Sequence, residues 1–66
     1  MVTQRGYYAP VRMGERGEWI SPSEISCDRP TAEVTAELTE KRCGADWAKH
    51  HPVQRIARIT IVEMED

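Results

Sequence analysis

Four side chains in this chain have the chemistry to ligate a metal or to form a nucleophile–base pair: Cys27, Cys43, His50 and His51. Structural zinc sites draw on close pairs, such as two cysteines with two to four residues between them. Here fifteen residues separate the cysteines, and the histidines are adjacent, so their side chains diverge. No metal site and no cofactor are expected. Cys43 and His50 lie about two helical turns apart if one helix carries both. They then share a side without touching, and no orienting group or oxyanion hole accompanies them. Glu33, Glu37 and Glu40 recur at helical spacing, as on a solvated helix face. The glycines of Gly14–Gly17 lack the strand-to-helix setting of a phosphate loop. The expectation is a protein that is not an enzyme. The cysteines read as small apolar fillers with free thiols, although spacing alone does not exclude a Cys27–Cys43 bond. The histidines suit the negative end of a helix dipole.

The segment 41–58 is more suggestive. It carries Lys41, Arg42, Lys49, Arg55 and Arg58 against one acid, Asp46, with His50, His51 and Trp47 among them. Two readings follow. In the first, Arg42, Trp47, Lys49, His51 and Arg55 form a surface for a protein partner. In the second, the same basic segment binds nucleic acid, with phosphates on the cations and a base stacked on Trp47. No nucleic-acid-binding motif supports the second, and the first is preferred. Trp19 reads as core, packed between sheet and helix. Trp47 fits core and surface equally.

The elements that must position these residues fit within 66 residues, 39% of them hydrophobic and 30% charged, with a net charge of −2. That length gives one domain, spanning 1–66, which buries only about 60% of its unfolded surface. Its core must be small, and pairing with a second copy would compensate. The first ten residues lack the basic and apolar regions of a signal peptide, and no apolar run approaches the roughly 18 residues that span a bilayer. A cytoplasmic protein without a membrane partner is expected.

Tyr7 to Met13 alternates as a strand, with Tyr7, Ala9, Val11 and Met13 on one face and Tyr8, Pro10 and Arg12 on the other. Pro10 cannot donate to a ladder, so this strand is expected at an edge or with the missing donor outward. Gly14-Glu15-Arg16-Gly17 reads as a hairpin turn into Glu18-Trp19-Ile20. Ser21 to Glu24 fits a bulge, a bend or a short helical turn, and Ile25–Cys27 fits extended chain. Asp28 caps a helix with Pro30 in its first turn. Val34 and Leu38 are its expected core residues. Both an unbroken helix to His50 and a break at Gly44 fit the pattern. The break is preferred, with a separate helical turn from Asp46 to His50. Val53–Met64 is β-branched strand, with Ala57, Ile59 and Ile61 on its more buried face. Residues 1–5 and 64–66 are expected to fray. The resulting fold is α+β, ordered ββαβ, a three-stranded sheet with one main helix on one face.

This order resembles small proteins carried by tailed phages and prophages. Those proteins combine a tyrosine-rich first strand, a glycine-rich turn, a tryptophan-bearing second strand, a charged helix and a β-branched last strand. A phage inhibitor of host RNA polymerase has the same gross arrangement. The resemblance covers most of the chain in length and order, and it carries no residue role over. It implies a small accessory protein that binds a host factor.

Overall fold

A computed structural model describes residues 2–64, with side chains described for residues 5–62. The elements are β1 (Val2–Gly14), β2 (Gly17–Trp19), a 3-10 turn (Pro22–Glu24), α1 (Arg29–Cys43), α2 (Ala45–His50) and β3 (Val53–Met64). The sheet is antiparallel throughout, in the order β2-β1-β3. The helices lie on one of its faces, so the expected α+β layout is the observed one.

β1 is the central strand, so of the two placements Pro10 allows it is the second, with the missing donor turned away from the ladder, that holds. The proline is accommodated by alternation. The Tyr8 backbone exchanges both of its hydrogen bonds with Ser26, at 2.8 Å each, on the side away from β3. Two residues on, Pro10 faces that same side, where the chain between β2 and Ser26 has left the ladder. Its missing donor therefore costs no bond. On its other side β1 pairs with β3 from Val2↔Met64 to Arg12↔Val53, with one bulge between Val11 and Arg12. Val2 to Arg5 are thus ladder residues, whereas Met1, Glu65 and Asp66 lie outside the described residues.

The hairpin turns on Glu15 and Arg16. No described non-glycine residue has positive φ, so the turn is not a primed type, and Gly17 at φ 110° takes up the reversal instead. Ser21–Glu24 resolves into the short helical turn, with Pro22 at its start. At α1 the Thr31 amide donates to Asp28 Oδ1 at 2.7 Å, closing the expected cap. Hydrogen bonding from Thr31, side chain first and backbone second, holds the Asp28 carboxyl below its ordinary pKa.

Val34 and Leu38 are not core residues: they are 53% and 60% exposed. α1 instead turns Ala32, Ala36 and Thr39 toward the sheet. The apolar period follows the largest side chains, but a helix carried close to a sheet must present its smallest. The buried apolar residues among those described are Ala9, Val11, Ala32 and Ala36, with Pro10 beside them.

α1 ends at Gly44, whose amide donates to the Glu40 carbonyl at 2.9 Å, and α2 begins at once. Gly44 has φ 99° and ψ 162°, a region in which residues with a Cβ are strained. The break therefore depends on glycine. Gly44→Ala is expected to destabilise the fold by about 1–3 kcal/mol. Urea unfolding followed by circular dichroism checks this, and an unchanged midpoint would show that the break does not need glycine.

Candidate functional site

The strand face beneath the helices carries a charge at its centre. Arg12 is 0% exposed and Glu24 is 1% exposed. Their contact is two-pronged: Arg12 Nε donates to Glu24 Oε1 at 3.0 Å and Nη2 donates to Oε2 at 2.9 Å. Nη2 also donates to the Ala36 carbonyl at 3.2 Å. Nη1 donates to the His51 carbonyl at 2.9 Å and to Glu40 Oε1 at 3.3 Å. A guanidinium has five N–H donors, and here each has an acceptor. The Glu24 hydrogen bonds raise the Arg12 pKa above its ordinary value against the opposing effect of burial.

Trp47 lies over the Arg12 guanidinium, 4.8 Å from carbon to ring centroid. His51 packs against Trp47 at 4.9 Å and edge-on against Trp19 at 5.6 Å. The His51 Nδ1 is buried with no hydrogen-bond partner among the described residues. This cluster draws on β1, β2, the 3-10 turn, both helices and the turn before β3. Every Arg12 donor is already committed, so the guanidinium offers no free group to a substrate. Its chemistry is to hold segments together.

The opposite sheet face carries none of the described helices. In the ladder Tyr7 faces Ile59, Ala9 faces Ala57 and Val11 faces Arg55, so these side chains share that face. Ile20, 37% exposed, joins Val11, Ala57 and Ile59 in lining a shallow groove. Arg55 and Glu18 form an ion pair at its rim.

The five residues expected at a partner surface are not brought together. Arg42 and Lys49 are exposed on the helical side, and Trp47 and His51 are partly buried in the Arg12 cluster on that side. Arg55 lies on the other face of the sheet. Trp19 is partly buried, not core. Cys27 and Cys43 are free and exposed, so neither fills the core. Among the described residues no group of three or more His, Cys, Asp or Glu is placed to hold a metal ion. No described helix is long and apolar enough to cross a membrane. No protein-family model, curated protein or solved structure matches the chain.

Sequence reasoning missed Arg12 and Glu24. Two signals pointed to them. Arg12 is the sole charge from Gly6 to Gly14, and α1 carries a stripe of small residues that admits a close neighbour. Removing one partner of a buried ion pair costs about 3–5 kcal/mol, whereas replacing both with apolar groups costs far less. The hydrophobic core of a domain this small rarely supplies more than about 3–5 kcal/mol. Glu24→Ala is therefore expected to abolish cooperative unfolding at room temperature, and Arg12→Met with Glu24→Met to restore it. A Glu24→Ala chain with a wild-type urea midpoint would contradict this.

Proposed function

We propose that this chain is a non-enzymatic protein-interaction domain that docks a protein partner on its uncovered sheet face. The observation that supports this is the groove between Val11, Ile20, Ala57 and Ile59, with the Arg55–Glu18 pair at its rim. An apolar floor with a charged rim is the anatomy of a protein interface. The other sheet face is occupied by the helices and by a charge cluster whose donors are all committed. The resemblance to small phage and prophage proteins suits an accessory role in which the partner is a host factor. A cytoplasmic setting suits the same role.

The basic segment gives less support to nucleic-acid binding. Arg55 lies on the groove side and is engaged by Glu18, whereas Arg42 and Lys49 lie on the helical side. A phosphate backbone would need them on one track.

Affinity capture from a cytosolic extract, with and without nuclease, tests the proposal. A stoichiometric protein partner that survives nuclease is expected. Ile20→Lys should reduce its recovery at least tenfold, while Arg42→Ala and Lys49→Ala leave it unchanged. A partner lost on nuclease treatment, or one indifferent to Ile20→Lys and lost with Lys49→Ala, would overturn the assignment.

A further inference from the structure

We infer that the outer edge of β3 pairs with the β3 edge of a second copy of this chain, joining two three-stranded sheets into one of six strands. This rests on the interaction-domain reading but uses different groups, the backbone of β3 and not the groove floor.

β3 is twelve residues long and pairs on one side with β1. Edge strands are normally blunted by shortness, charged side chains, proline or bulges. From Ile56 to Val62 this strand has one charge, Arg58, and neither proline nor bulge. The need for a second copy is visible in the core, whose buried apolar residues are two alanines from α1 with Ala9, Pro10 and Val11 from β1. Domains this small commonly rely on association for stability.

Alternation assigns the free backbone groups. Tyr8 points its N–H and C=O away from β3, so Tyr7 and Ala9 point theirs toward it, to Ile59 and Ala57. The backbone groups of Ile56, Arg58, Thr60 and Val62 therefore point outward. A two-fold axis perpendicular to the sheet keeps each side chain on its own face and pairs outward residues with outward residues. Centring the axis on Arg58 sets like charges directly opposite, which is destabilising. Centring it on Ile59 sets Arg58 opposite Thr60 of the partner subunit, Ala57 opposite Ile61 of the partner subunit, and Ile56 opposite Val62 of the partner subunit. Centring it on Thr60 sets Arg58 opposite Val62 of the partner subunit, an aliphatic side chain that gives the guanidinium no polar neighbour. Cross-strand matching, with Arg58 on a hydroxyl and aliphatic side chains on one another, thus selects the Ile59 register. That ladder makes about eight backbone hydrogen bonds over about 30 Å. It also joins the two uncovered faces edge to edge.

Light scattering coupled to gel filtration at about 100 µM should give twice the 7.6 kDa chain mass. Thr60→Pro should give the single-chain mass with an unchanged circular dichroism spectrum, because the amide it removes points away from β1. Cross-linking covers the case in which that variant fails to fold. In a Cys27→Ser, Cys43→Ser background, Ile59→Cys meets its own copy at a non-hydrogen-bonded pair about 4.5 Å apart, within disulfide reach. Oxidation should give a covalent dimer with Ile59→Cys and none with Ile61→Cys. A monomer at this concentration, or cross-linking with Ile61→Cys in place of Ile59→Cys, would overturn the inference. A monomer that still captures a partner through Ile20 would leave the interaction-domain reading standing.

Discussion

The structure depends on a buried guanidinium. A charge at the centre of a three-stranded sheet has a large desolvation cost, and it persists only where every donor finds an acceptor. Arg12 meets that condition through acceptors on three separate segments: Glu24 from the 3-10 turn, Ala36 and Glu40 from α1, and the carbonyl of His51 after α2. None of these can shift without leaving a buried donor unmet. The Trp47 ring lies against the same cation, where desolvation strengthens the attraction. Arg12 thus acts as the fastener that a core of alanines and one valine does not supply.

That choice shapes the rest of the molecule. Acceptors must reach a residue in mid-strand, so α1 runs close to the sheet and turns Ala32, Ala36 and Thr39 inward. The helical segment has to stop at Gly44 for α2 to carry Trp47 over the cation. The described helices are all recruited to the Arg12 side. The other face, with Tyr7, Ile59, Ile61 and the groove beside Ile20, is left without a described helix. Structural economy on one face and an uncovered sheet on the other are two results of one buried charge.

Local chemistry made much of the fold legible. Asp28 and Pro30 marked the helix start, paired glycines marked the hairpin, and β-branched residues marked β3. Gly44 favoured the break because only glycine relieves the backbone there. What misled was size and charge. Val34 and Leu38 have the right period for a core, yet they face outward because the space beneath α1 is filled by the Arg12–Glu24 pair. Alternation sets Arg12 on one strand face with Tyr8 and Pro10, and nothing in that pattern marks the face as the one the helices cover. A sequence records that an arginine alternates onto a face; it does not record that acceptors from positions 24, 36, 40 and 51 converge on it. The same long-range convergence separated Arg55 from the other four residues expected at one surface, since the two faces of a sheet are one residue apart in sequence.

Hydrogen exchange at the arginine side chains tests the central role of Arg12 most directly. In nitrogen-15 spectra at neutral pH, the Arg12 Nε–H should exchange with solvent as slowly as the backbone amides of β1, while the Nε–H of exposed Arg16 exchanges fast. Equal, fast exchange at Arg12 and Arg16 in an otherwise protected sheet would contradict the account, because the guanidinium would then be open to water and could not be what holds the segments together.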